Sequence, residues 1–354
     1  MLPNSEPGPT QLSGRGLMST MPVLPLSFKV PNDPGPREEL LEGLKKIASQ
    51  AFTTYSDAFT NALTPFDREL YEWVAKAHPY SPKDWYRDPH DIIVVSAMQR
   101  IVASEGLPSW LITAAILHDR GYAILASNND QTARDYQQRD GAHWENVDTR
   151  LLHSRLSAEL GREWVVKHLR GSGEKIPLCA DTETFLTVIE KHDHPLIGKY
   201  EELPPMGRHH FDADSLFSIS LLSFIKDWLS YCADEKKLVK ARGAGICEMG
   251  EVLSPNALLQ ARIARYYKED SDMPDGWNCI ETPLNLRALS FTEGGRCYPP
   301  HSQTAQGLTD IFFQGISRCC ALLAEEESVT EFLTKVEPMI MAQFDLLMDM
   351  QPRI

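Results

Sequence analysis

From Glu38 onward, apolar residues recur three and four positions apart, and strict alternation of apolar and polar residues is scarce. In the first such run, Leu40, Leu41, Leu44 and Ile47 fall at helical spacing. The pattern runs almost unbroken to about residue 235. It predicts helices over 66–77, 91–104, 109–118, 149–168, 183–192 and 214–230. A chain patterned in this way folds as a mainly α structure, with helices burying their apolar faces on one another.

The breaks in the pattern suggest an organisation. Residues 1–36, with "PNSEPGPTQLSGRG" and "PNDPGP", read as a flexible leader. Residues 37–235 read as a helical domain. Within it, 124–147 and 195–211 are polar or rich in turn residues, and read as irregular segments. Residues 236–354 read as an extension packed on that domain. It is partly irregular ("PDGWNCIETPLNLRALSFTEGGRCYPPHSQ") and returns to helix over 308–348.

Composition narrows the classes of function. With 354 residues, 42% of them hydrophobic, a sizeable core can form. The net charge of −14 argues against general nucleic-acid binding, though not against a small anionic substrate. The seven cysteines are odd in number and include no C-x-x-C pair, so reduced thiols and a cytoplasmic location are expected. The adjacent Cys319 and Cys320 read as core packing. No apolar stretch approaches the length of a membrane span, and no signal peptide is expected. The oligomeric state is left open.

Several of the helical runs carry a polar, metal-capable residue on the apolar face. His90 shares its face with Ile93, Val94 and Ala97. His118 and Asp119 end the apolar run "ITAAIL". His153 lies on the face of Leu156, Ser157 and Leu160, and His192 on that of Phe185, Val188 and Ile189. Asp214 opens the predicted helix "ADSLFSISLLSF", with Phe217, Ser218 and Leu221 on its face. Buried imidazoles and carboxylates need partners, and a shared metal ion supplies them at once. Such a donor set suits a divalent transition metal (Fe, Mn, Ni, Co or Zn), one or two per chain, better than calcium or magnesium.

The order His90, then "AAILHDRGYA", then His153, His192 and "DADSLF" resembles the HD-domain superfamily of metal-dependent phosphohydrolases. The resemblance covers roughly residues 66–235, and Gly121 fits the family's habit of a glycine soon after His-Asp. It implies an HD-type helical bundle in which His90, His118, Asp119 and Asp214 hold one metal. His153 and His192 would hold a second, with Asp119 bridging. The implied activity is hydrolysis of a small-molecule phosphoester, possible nucleotides included, by metal-activated water. Related HD proteins similar to myo-inositol oxygenase use the same six ligands for a mixed-valent di-iron centre that cleaves a C–C or C–P bond. A third reading is a non-catalytic, ligand-sensing HD scaffold.

Some positions stay open on sequence alone. His143 competes with His153, and His194 with His192. Arg120, where the family often carries an apolar residue, reads either as a phosphate clamp acting with Asp119 in catalysis or as a surface residue at a helix end. His143, Tyr122, His194 and His210 are candidate substrate contacts, with His209 and His210 read as loop residues. Lys226, Asp227 and Lys167 read as exposed.

Overall fold

The computed structural model describes residues 24–126, 149–172, 182–197, 200–243, 253–266 and 300–349. Among them the protein is mainly α and contains no strand. Four helices form the first half: α1 (Leu26–Asn32), α2 (Pro34–Ala62), α3 (Pro65–Ala77) and α4 (Arg87–Glu105). They are followed by α5 (Trp110–Leu117), α6 (Gly121–Ala126), α7 (Thr149–Ser172), α8 (Thr182–Lys191) and α9 (Pro205–Ser218). The remainder are α10 (Leu221–Ala233), α11 (Glu235–Gly243), α12 (Pro255–Tyr266), α13 (Gln303–Glu325) and α14 (Val329–Asp349).

Two helices form the centre. Every residue of α4 from Pro89 to Ile101 is buried, and so is every residue of α5. A helix buried on all sides must be surrounded by others. Accordingly α4 packs against α2, α5, α9, α13 and α14, while α5 packs against α3, α7, α8 and α9. Gly106, in the left-handed region at φ 66°, ends α4 and lets the chain turn into α5. Most buried apolar side chains, from Leu26 to Leu347, join one cluster, while Leu203 and Phe211 form a small second one with Tyr200. Cys319 and Cys320 are buried within it, as core residues.

Two sequence expectations are corrected. The leader does not extend to residue 36, because Leu26 and Val30 bury themselves and the Leu26 N–H bonds the Glu326 carbonyl at 2.9 Å. The Pro-rich text there starts a helix. Pro34 occupies the first turn of α2, and the Asp33 carboxylate caps it by accepting from Gly35 N–H at 2.9 Å. Likewise, the predicted helix 214–230 is two helices. Pro205 starts α9 inside the segment read as irregular, and the chain turns at Ile219–Ser220, where the Ser220 hydroxyl caps α10. Asp214 therefore lies late in α9, and His209 and His210 are helical and buried. Residues 127–148, most of the other irregular segment, fall outside the described residues.

A buried polar link ties α3 to α5. Thr64 caps α3 by accepting from the Asp67 N–H at 3.1 Å, and the Asp67 carboxylate accepts the Thr64 and Thr113 hydroxyls, both at 2.7 Å. Asp67 and Thr113 are both buried, so the carboxylate has lost much of its water and depends on these donors. Thr113→Val keeps the shape and removes one donor. It should lower unfolding free energy by about 1–3 kcal/mol. Chemical denaturation measures this directly, and an unchanged midpoint would show that the link contributes nothing.

Candidate metal centre

The polar residues on the apolar faces come from five helices and meet at one place. His90 lies in the first turn of α4, and His118 and Asp119 directly follow α5. His153 lies near the start of α7, His192 directly follows α8, and Asp214 lies late in α9. Asp119 stands at the middle. Its Oδ1 is 3.1 Å from His153 Nε2 and 3.5 Å from His192 Nε2. Its Oδ2 is 3.4 Å from His90 Nε2 and 3.8 Å from His118 Nε2. Asp214 Oδ1 lies 3.2 Å from His90 Nε2 and 3.3 Å from His118 Nε2. The donor atoms of His90, His118 and Asp119 lie within 4.8 Å of one another, as do those of Asp119, His153 and His192. The buried His/Asp groups could therefore hold a metal ion.

Tautomer chemistry supports that fit. His118 Nδ1 is 2.7 Å from the Ala115 carbonyl, and His192 Nδ1 is 2.7 Å from the Ile189 carbonyl. A carbonyl only accepts, so both Nδ1 atoms carry protons and donate. In the neutral ring, Nε2 is then a lone pair. Both lone pairs face carboxylate oxygens, which is acceptor against acceptor. His118 Nε2 is buried and makes no hydrogen bond among the described residues. A divalent cation among these atoms removes the conflict, and backbone-anchored imidazoles are a common way of orienting metal ligands.

Protons are the other cation available. Burial opposes charge on His90, but Asp119, Asp214 and Asp91 outweigh it and lift the imidazole to about 9. Burial likewise opposes charge on His192, which Asp193 and Asp119 raise to about 9. His153 is lowered, chiefly by burial. Burial would raise Asp119, yet Arg87 and His118 hold it well below the usual carboxylate range; His118 and His90 do the same for Asp214.

The turn carrying His118 and Asp119 is tight: Arg120 N–H bonds the Leu117 carbonyl and Tyr122 N–H that of Asp119, both at 3.0 Å. Gly121 lies directly against α7. A Cβ there would sit 1.9 Å from the His153 carbonyl oxygen, which no rotamer change can relieve. The Gly121 N–H donates to Ser157 Oγ at 2.8 Å. The glycine thus sets how closely Asp119 and His153 approach.

The competing assignments now separate. His192 lies in the cluster, while His194 Nδ1 faces Glu202 at 3.0 Å, away from it. His153 lies in the cluster; His143 falls outside the described residues. Tyr122 stacks on His153, with ring centroids 3.8 Å apart, and lines the cavity over the site. His210 does not line that cavity. It is buried, its ring 5.1 Å from that of His118 and 5.8 Å from that of His192. Burial, with these two imidazoles, lowers it well below the usual histidine range.

Arg120 is corrected: it is neither a phosphate clamp nor a surface residue. It is 1% exposed, bonds Asp91 Oδ2, and lies 4.3 Å over the Tyr80 ring. Asp91 also receives the Tyr80 hydroxyl at 3.1 Å and faces His90 Nδ1 at 3.4 Å. Arg120 therefore neutralises the carboxylate behind His90. The arginine at the site is Arg87, which bonds Asp119 Oδ2 and lines the cavity. Sequence reasoning missed it, although it shares a helical face with His90 at i, i+3. It also missed Asp193, which lines the cavity and lies 3.7 Å from His153 Nε2. Lys226 is not on an exposed face. It lines the cavity and pairs with Asp227 at 2.8 Å, while Asp227 also bonds Arg262. Lys167 is exposed, as expected, with its ammonium 5.2 Å over the Trp164 ring.

Comparison of the chain with protein-family models, curated proteins and solved structures found no match in any of the three.

Gly121→Ala should displace the turn from α7 and destabilise the fold by about 1–3 kcal/mol or more. It should also weaken metal uptake by separating Asp119 from His153. Elemental analysis and thermal denaturation read both, and a variant that binds metal normally would show that the close approach does not matter. A second expectation concerns the metal-free protein. With folded values near 9 for His90 and His192, against about 6.5 unfolded, their stabilisation is complete below about pH 6.5. It is lost as pH rises through 9. Melting temperatures of chelator-treated protein should fall across that window; a flat profile would contradict the imidazolium state.

Proposed function

We propose that this chain is a metal-dependent hydrolase of small-molecule phosphoesters, built on an HD-type helical scaffold. The observation that carries the reading is Asp119, whose two oxygens face separate histidine pairs beneath a cavity that also holds Arg87 and Lys226. The donor set fits two divalent transition ions: His90, His118, Asp119 and Asp214 for one, and Asp119, His153 and His192 for the other. When bound, such a pair lowers the pKa of water and offsets charge on phosphoryl oxygens.

The chain's own residues supply the rest. Arg87 is held protonated by Asp119 against the cost of burial, and its guanidinium stands 3.9 Å over the Tyr122 ring. It is thereby fixed at the cavity wall, where it can donate to a phosphoryl oxygen. Lys226 offers a second positive charge from the wall built by α10. Tyr122 and Phe217 exclude water from the neighbouring His153 and His90, at centroid distances of 3.8 and 4.6 Å. Asp193 lines the same cavity and can take or return a proton there.

The test is phosphate release from a phosphoester panel, nucleotides included, after loading with Mn, Fe, Co or Ni, alongside a metal count. Two ions per chain and metal-dependent release are expected. Asp119→Asn should lose metal and reduce release at least about a hundredfold. Metal-loaded protein silent on the panel would overturn the reading. Oxygen uptake with an EPR signal from a half-reduced iron pair would replace it with a di-iron oxygenase.

A further inference from the structure

Beside the cavity at the metal centre, of about 270 Å³, lies a second of about 490 Å³. Tyr86 and Lys226 line both. The Lys226 ammonium is 4.2 Å from the Tyr86 ring centroid, so these two side chains form a shared wall. The inner cavity is small for an organic ligand, since binding sites typically run from about 300 to 1,000 Å³. The two together fall within that range, with only the Tyr86 and Lys226 side chains common to both linings.

The outer cavity has a distinct chemistry. Trp85, Leu41 and Leu229 give it apolar walls, and Arg37, Lys226 and Lys237 stand against a single acid, Glu38. In a chain of net charge −14, this excess of cations runs against the background. Arg37 donates to the Cys232 carbonyl at 3.1 Å, and Lys237 meets the Ser230 hydroxyl. Both partners are neutral, and neither cation forms an ion pair among the described residues. Asp227 is shared by Lys226, Arg262 and, at longer range, Lys237, so one carboxylate stands against several cations and an anion at this cavity would still meet an excess of positive charge, Arg37 foremost.

We propose that the outer cavity is a second anion subsite, holding the acidic tail of a substrate whose reacting group lies at the metal centre. The body of that substrate is an alkyl chain or ring along Trp85, Leu41 and Leu229. Its far end is a carboxylate received by Arg37 and Lys237, and Lys226 stands at the junction. The substrate class is therefore an elongated phosphoester with a second acidic group. The assignment of the inner end rests on the phosphoester reading above.

Calorimetry on the metal-loaded full chain tests it without requiring turnover. The probes are ω-carboxyalkyl phosphonates of increasing length, each compared with its carboxyl methyl ester. At the length that bridges the two cavities, the free acid should bind about tenfold more tightly than the ester. Lys237→Glu, an exposed substitution, should abolish that advantage and leave ester binding unchanged; Arg37→Met should reduce it. Equal binding of acid and ester at every length overturns the subsite while leaving the phosphoester reading intact. An advantage that survives both substitutions overturns it too, as does failure of every phosphonate to bind. The expected advantage in a protein that hydrolyses no phosphoester would uphold the subsite and remove the phosphoester reading.

Discussion

The opposition of lone pairs and carboxylates around Asp119 is the constraint on which the rest of the structure turns. Asp119 and Asp214 are acids placed among four imidazoles in a largely buried site. Each charge has lost most of its hydration, a cost of several kcal/mol per ion unless close partners offset it. Two of the imidazoles have spent their Nδ1 protons on backbone carbonyls, so they cannot serve the carboxylates as neutral donors. The cluster therefore requires cations, as protons or as metal. Arg87 supplies one, but it reaches only Asp119 Oδ2. The arrangement is one that binding a divalent ion would relieve, and this ties stability to occupancy.

Holding such a cluster together demands a rigid frame. Four of the five helices contribute their ligands from at or near a terminus, and α4 and α5 are buried on all sides, so the ends cannot shift independently. Gly121 adds a direct backbone contact between the Asp119 turn and α7, with no side chain between them. Behind His90, the row Asp91–Arg120 is closed by Tyr80 and keeps the first turn of α4 in register with the turn after α5. Arg120 thus affects the site through His90, and its neighbour Asp119 affects it directly.

This division explains what was legible in the sequence. Helical periodicity specifies which face a residue occupies, so His90, His153 and His192 could be aimed inward from their apolar neighbours alone. The same periodicity places Asp214 with Phe217 and Ser218, and the three lie together in α9 although that helix starts at Pro205 and ends at Ser218. The boundary failed because Pro204–Pro205 reads as a breaker, whereas proline in the first turn also starts helices. The same ambiguity concealed α1 and the start of α2. Pairings across the chain left no local signal. Arg87 and Asp119 are 32 positions apart, and Arg120 and Asp91 are 29 apart. Nothing in the spacing says which arginine meets Asp119 and which stands behind His90.

Charge placement, rather than net charge, then governs what the site can accept. The protein is strongly acidic overall, and the His/Asp cluster adds carboxylates to the cavity lining. An anion could approach only where local cations outweigh that field. Lys226 is the pivotal one, because it lines both cavities. Its position depends on Asp227, whose carboxylate burial would raise but which Lys226 and Arg262 together hold below the usual range. Arg262 belongs to α12, in the C-terminal part of the chain. That segment therefore reaches the site through two charges in series. The terminal region read as an extension bears on the position of a cation that the reacting anion would meet, and the Trp228 indole, bonded to the Leu253 carbonyl at 2.8 Å, fastens the same segment to α10.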